Sequence, residues 1–299
     1  MTHKKKVTIG DCVLILGDCL EVMPTLGKIN CVITDPPYLI NLSEWDKTLD
    51  IPKVLDNIYN ILPSDAWFAY FGQMPTLIDW QNEVNKLFKY SDHISWVKRR
   101  VGAIMQPILR SHESIMINKK GKPKYFETKM PYSDKAELLY AMPEYIDGLK
   151  RALSEKQNGG FGVKLTIGKP KTKEYLYIKG DKPRPHYQDN CNITNVWCFT
   201  PDVDKSRGID THPTAKPIKL MSRLILLLSE QNQTILDPFA GSFSTGVACV
   251  KEGRKFIGIE LNEEYFNIGC KRIEDAYRQA DMFTEQPATI ERMTQETLI

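Results

Sequence analysis

A chain of 299 residues, 42% apolar and 26% charged, can bury one large core or a core with a smaller lobe, and this composition excludes a disordered or fibrous protein. Its formal net charge of +3 hides an asymmetry: Lys119 to Arg184 holds 16 Lys/Arg against 8 Asp/Glu, which puts +8 on this segment and −5 on the rest. A basic segment on an acidic body favours a polyanion-binding face, with a solvated Lys-rich loop as the plainer alternative.

Residues 12–16, Cys-Val-Leu-Ile-Leu, read as a strand ending at Gly17-Asp18, with a short helix over 19–26. Asp18 is a favoured helix N-cap with Glu21 three residues on, as in a capping box. The apolar run from Ile29 to Thr34 reads as a buried strand that delivers Asp35-Pro36-Pro37-Tyr38 to its carboxyl end, the edge where open α/β sheets bind ligands. Two consecutive prolines fix the backbone and remove two N–H donors, leaving carbonyls and one carboxylate beside an aromatic ring. Such an acceptor-only corner suits a planar amine; the plainer reading is an Asp-Pro turn.

Leu39 to Lys47 is polar and aromatic without period and is expected to be a loop. A helix over 48–62, a strand over 66–72 and a helix over 75–88 follow, with Pro75 at the last helix's start, where a missing N–H is harmless. Strand-helix-strand-helix implies a parallel sheet with right-handed crossovers. Strands over 93–98 and 112–118 are expected as an antiparallel pair at its edge, and His93 and His112 receive no role.

From Lys119 to about Lys205 the hydrophobic period weakens and Gly, Pro, Lys and Tyr dominate, the pattern of a separate insert. Lysines such as Lys169, Lys171 and Lys173 suit phosphate contacts, and Arg184, Gln188, Asn190 and Asn192 suit base edges. A Pro-rigidified stretch, Thr211-His212-Pro213-Thr214-Ala215-Lys216-Pro217, opens an apolar helix over 218–229. A strand over 234–236, a loop Asp237-Pro238-Phe239-Ala240-Gly241-Ser242, a helix over 244–252 and a strand over 256–259 complete the pattern. Glu260 ends that strand 23 residues after Asp237, where dinucleotide folds grip a ribose diol.

Seven cysteines without a C-x-x-C pair point to reduced thiols in a cytosolic protein, with no zinc site and no disulfide. Lys4-Lys5-Lys6 lacks the apolar stretch of a signal peptide, and the longest aliphatic run, Leu224 to Leu228, cannot span a bilayer. A cytoplasmic protein without membrane contact is expected.

The tetrapeptide followed far downstream by Asp237-Pro238-Phe239-Ala240-Gly241-Ser242 resembles the β-class S-adenosylmethionine-dependent DNA amino methyltransferases, which act on adenine N6 or cytosine N4. The resemblance spans most of residues 12–275. It implies a Rossmann-like α/β fold: a mostly parallel seven-stranded sheet, helices on both faces, a circularly permuted motif order and a basic target-recognition insert. Residues 1–118 would be the catalytic half, 119–205 the insert, 206–280 the cofactor half and 281–299 a tail. The resemblance assigns Asp35, Pro36, Pro37 and Tyr38 to catalysis. Asp18 would contact the cofactor's adenosine, and Thr214 and Lys216 would lie beside its methionine part. Asp237, Phe239, Gly241, Ser242 and Glu260 would line the rest. The partner implied is double-stranded DNA; family members often pair as dimers, and a restriction endonuclease partner is left unassigned. Asp rather than Ser in the first catalytic position associates with adenine, with cytosine-N4 methylation as the rival.

One residue departs from the family pattern. Gly241-Ser242-Phe243 stands where Gly-Ser-Gly is usual, and a bulky side chain enters positive-φ conformations only with strain. The expectation is a helical Phe243 packed sideways; the alternative is a blocked cofactor pocket and an inactive DNA-binding subunit.

Overall fold

The structure, a computed structural model, describes residues 3–37, 49–98, 112–127, 129–131, 190–192, 195–199 and 215–281. Tyr38, Lys169, Lys171, Lys173, Arg184, Thr214, the expected 39–47 loop and nearly all of the 281–299 tail lie outside the described residues.

An N-terminal hairpin, β1 (Lys5–Ile9) and β2 (Cys12–Leu16), leads into α1 (Cys19–Val22), a 3-10 turn (Met23–Thr25) and β3 (Cys31–Thr34). Then come α2 (Ile51–Ile61), β4 (Ala66–Gly72), α3 (Thr76–Val84), β5 (Lys89–Val97) and β6 (His112–Lys120). After β7 (Lys129–Pro131), β8 (Asn190–Asn192) and β9 (Val196–Cys198), the chain closes with α4 (Ile218–Leu228), β10 (Thr234–Asp237), α5 (Ser244–Glu252), β11 (Lys255–Glu260) and α6 (Glu263–Asp281).

Nine strands form one sheet in the order β1-β2-β11-β10-β3-β4-β6-β5-β9. It contains the seven expected strands and is widened by β1 and β9. The run β2-β11-β10-β3-β4 is parallel throughout, and β5 and β6 form the expected antiparallel pair. β9 adds to β5 in parallel, anchored by Trp96 Nε1 donating to the Phe199 carbonyl at 2.9 Å.

Strands β3 and β4 are buried at every position, so both faces of the sheet need covering. On one face, Val54, Leu55 and Ile58 of α2 share a core with Leu77 and Trp80 of α3 and with Val32, Phe68, Leu236 and Ile259 of the sheet. Alternation along β11 sends Phe256 and Gly258 to the other face, against α5 and α6. Asp50 caps α2 by accepting from Lys53 N at 3.0 Å, which starts the helix at Ile51 rather than at residue 48.

Residues Lys129–Ile193 form a compact unit of their own, in which β7 and β8 pair antiparallel with Lys129 opposite Asn192. Sheet strands occupy both ends of the expected 119–205 insert: β6 runs to Lys120, and β9 begins at Val196. Cys12, Cys19, Cys31 and Cys249 are buried free thiols and Cys270 is a partly buried one, while Cys191 and Cys198 lie on β8 and β9. No described helix is long and apolar enough to cross a membrane.

Candidate active site

Five parallel strands bring their carboxyl ends to one edge, and the register places Asp18, Glu260, Asp237, Asp35 and Gln73 along it in strand order. The antiparallel pair contributes to the same edge, because Gly72 pairs with Ser114 and Val97 with His112. Glu113 and Lys98 therefore stand next in line.

Asp35 does not stand alone at the end of β3. Lys216, buried just before α4, hydrogen-bonds Asp35 Oδ2 through Nζ. The same ammonium lies 3.6 Å from Glu113 Oε2 and 5.1 Å from the centre of the Phe71 ring. Glu113 Oε1 in turn accepts from Lys98 Nζ and, at 2.9 Å, from Gln73 Nε2. Charges thus alternate through Lys98, Glu113, Lys216 and Asp35. Burial would push the Glu113 carboxyl up, but Lys216 and Lys98 outweigh it and hold it below the usual range. Burial would likewise lower Lys216, and the carboxylates of Asp35 and Glu113 outweigh it to raise its pKa.

The loop after β10 is fixed from three sides. Asp237 is buried; its Oδ1 accepts from Thr34 Oγ1 and its Oδ2 from Thr245 Oγ1, both at 2.6 Å, and Phe239 N donates to Oδ1 at 3.2 Å. Its side chain joins β10, β3 and α5, a tie beneath the loop. Glu260 Oε2 accepts from Gly241 N and Oε1 from Asn262 N, each at 2.7 Å, and burial raises its pKa against these bonds. Arg272 of α6 donates from one guanidinium nitrogen to the Ser242 carbonyl at 2.6 Å and to Ser242 Oγ at 2.7 Å, so Ser242 is turned inward and buried. Gly241 has φ +52 with open space where a Cβ would stand, which lets a ligand approach the backbone.

Phe243 takes the left-handed conformation, φ 57 and ψ 38, where the sequence suggested a right-handed helical one. Its ring does pack sideways. It is fully buried, with edge contacts to Phe256 and Phe266 at 6.1 and 6.0 Å between centroids. Two glycines make the slot: a Cβ on Gly269 would stand 1.6 Å from the ring and one on Gly258 2.5 Å. The ring lies on the α5/α6 face of the sheet and does not come within 4 Å of where a Cβ on Gly241 would stand.

Of the two readings of Asp18, the structure displays the cap: its Oδ1 accepts from Leu20 N at 2.8 Å, and the residue is exposed beside the Gly17 N to Glu260 O bond of 2.9 Å. Phe239 is half-buried at the loop, and Pro36 and Pro37 follow Asp35 at the strand end. Lys216 meets the tetrapeptide carboxylate. Glu113, Lys98, Gln73 and Arg272 were not singled out in the sequence. Glu113 had a signal: it lies in phase with the buried Ile115 and Ile117 on β6, a carboxylate at a core position.

The burial of Asp237 sets a pH dependence. Its pKa is pushed up to about 6 from the ordinary 3.8, so the folded chain holds a proton that the unfolded chain has released. The group's contribution to stability is fully present below about pH 4 and is lost as pH rises through about 6, on the order of 3 kcal/mol. Asp237→Asn is expected to flatten this part of the profile; denaturant titrations between pH 4 and 7 check it, and a parallel profile in the variant would contradict it.

A family profile described as DNA methylase, for N6 and N4 methyltransferases, matches residues 29–271. The chain is 27% identical over 282 residues to the DNA adenine methyltransferase YhdJ of Escherichia coli strain K12, covering 88% of this chain and 83% of that protein. Among solved structures it is similar to the M1.HpyAVI–SAM complex, with TM-score 0.55 and 22% identity over 87% of this chain and 98% of the other. It is also similar to the cytosine-N4-specific PvuII DNA methyltransferase, with TM-score 0.58 and 16% identity over 93% and 95%. Both structures support the fold alone.

Proposed function

The chain belongs to the family of N6/N4 DNA methylases, and from that premise we propose that it transfers a methyl group from S-adenosylmethionine to the N6 amine of an adenine in double-stranded DNA. The observation that carries the reading is Asp35 on a proline-fixed corner at the carboxyl end of β3, in line with Glu260 and the open Gly241. Asp in the first catalytic position, and the similarity to an adenine methyltransferase along 88% of the chain, favour adenine over cytosine.

The site fits the cofactor. Glu260 presents a carboxylate whose two oxygens each keep acceptor capacity beyond one backbone N–H, suited to ribose hydroxyls. Gly241 leaves the backbone open, Phe239 offers an apolar wall, and Asp18 lies on the neighbouring strand end. Asp237 and Ser242 shape the loop from beneath. When bound, the cofactor supplies an electrophilic methyl group.

An exocyclic amine is a poor nucleophile because its lone pair is delocalised into the ring. Asp35 and the Pro36 carbonyl accept its two N–H bonds, localise the lone pair and stabilise the positive charge that develops on nitrogen during attack. The surplus proton leaves afterwards. Pro37 keeps the corner rigid, and Tyr38 stacks on the base, aligning nitrogen with the methyl carbon. A paired base cannot reach this corner, so the nucleotide flips out of the duplex. Lys169, Lys171, Lys173 and Arg184 of the basic segment serve the DNA backbone and bases.

Labelled S-adenosylmethionine, unmethylated duplex DNA and nucleoside separation test the reading. Label in N6-methyladenine supports it, and label in N4-methylcytosine replaces it with the rival. No label despite DNA binding favours an inactive subunit. Separately, Glu260→Ala is expected to weaken cofactor binding by about 1–3 kcal/mol, roughly 5- to 150-fold. Calorimetry on the folded variant checks this, and unchanged affinity rejects the role.

A further inference from the structure

Helix α6 meets the loop after β10 at more than one point. Phe266, Ile273 and Ala276 of α6 are buried, which fixes the helix against its neighbours, and Gly269 on the same face receives the Phe243 ring. One turn further along, Arg272 Nη1 donates to three loop oxygens: the Ser242 carbonyl at 2.6 Å, Ser242 Oγ at 2.7 Å and Ser244 Oγ at 3.1 Å. Both serines are buried, so loss of the cation favours a turn that opens these acceptors to water. The turn so held is one the chain resists. Gly241 and Phe243, on either side of Ser242, have φ of 52 and 57, and a phenylalanine reaches that region only at a cost. Gly241 N in turn donates to Glu260 Oε2 at 2.7 Å. The residue that orients this carboxylate oxygen is thus bonded directly to the residue that Arg272 holds.

We propose that Arg272 is a positioning residue for cofactor binding: through Ser242 it fixes Gly241 N, and through that amide the direction of the Glu260 carboxylate. The proposal rests on the methyltransferase reading above, in which Glu260 and Gly241 meet the cofactor. An arginine suits this task, because its guanidinium stays charged and presents donors in a rigid plane. The turn is set before the ligand arrives, so binding avoids the cost of ordering it. The two contacts of α6 with the loop then differ in effect. The Phe243 ring fills the core and supports stability, whereas the Arg272 cation sets the edge that faces the cofactor.

Calorimetric titration of the full chain with S-adenosylmethionine, in the absence of DNA, tests this on the parent, Arg272→Met, Glu260→Ala and the double variant. Methionine keeps an apolar stem and removes the donors. Arg272→Met is expected to bind cofactor about tenfold more weakly, with single-turnover transfer at saturating cofactor within about threefold of the parent. Because Arg272 acts through Glu260, its loss should matter little once that carboxylate is gone, so the double variant is expected within about threefold of Glu260→Ala. A residue that only stabilises the fold predicts no such dependence. Unchanged affinity in a folded Arg272→Met overturns the proposal. A further loss of about tenfold in the double variant, or slowed transfer with affinity retained, also overturns it. Should Arg272→Met fail to fold, Arg272→Lys, with a single ammonium in place of the fork, gives the same comparison with a smaller expected loss of about threefold. A parent that binds no S-adenosylmethionine overturns the functional reading and this one with it.

Discussion

Asp35→Ala is expected to abolish methyl transfer, with a loss of at least about 10³-fold, while leaving cofactor and DNA affinity nearly unchanged. The carboxylate has no counterpart at the corner: Pro36 offers a carbonyl, and the next carboxylate, Glu113, is occupied by Lys98 and Gln73. Truncation also removes one contact of Lys216, but its ion pair with Glu113 Oε2 at 3.6 Å remains, so the fold should survive. Single-turnover transfer measured beside calorimetric cofactor binding separates the two effects. Transfer within tenfold of the parent would remove Asp35 from the mechanism.

Phe243→Gly is expected to lower stability by about 2–4 kcal/mol and to leave cofactor affinity intact. Emptying a fully buried phenylalanine site costs about 3–5 kcal/mol, from which relief of the left-handed conformation subtracts about 1. Denaturant unfolding gives the first quantity and calorimetry the second. A large gain in cofactor affinity would mean that the ring obstructs the pocket. Gly269→Ala is expected to be severe in the parent, because its Cβ would meet the ring at 1.6 Å, and milder once Phe243 is glycine.

What was legible in the chain was what local pattern encodes. β4 and α5 fall on their expected bounds because an unbroken apolar run and a helix stopped by a left-handed Gly253 need no distant partner. β1 was not legible: three lysines hide a strand that exists only because β2 pairs with it. β9 is three residues long and owes its place to β5. The same divide runs through the site. Asp35 and Glu260 stand at strand ends, where residue type and position suffice. The tie made by Asp237 depends on Thr34, 203 positions away, and the partner of Lys216 is 181 positions upstream. The sideways packing of Phe243 followed from its bulk, but its left-handed backbone required a slot built by Gly258 and Gly269.

The strand order also bears on how the protein is made. β10 and β11, near the end of the chain, lie between β2 and β3, near its start. As the polypeptide leaves the ribosome, β2 and β3 emerge early with no neighbour between them, each presenting unpaired backbone to the solvent. The sheet cannot close until β11 has been synthesised, so this unit cannot fold progressively from its amino terminus. The loop after β10 arrives in the same late step that joins the two sides. A nascent chain truncated before residue 234 would therefore be a client for chaperones, and the strand-end edge would be assembled abruptly, only once β11 had emerged.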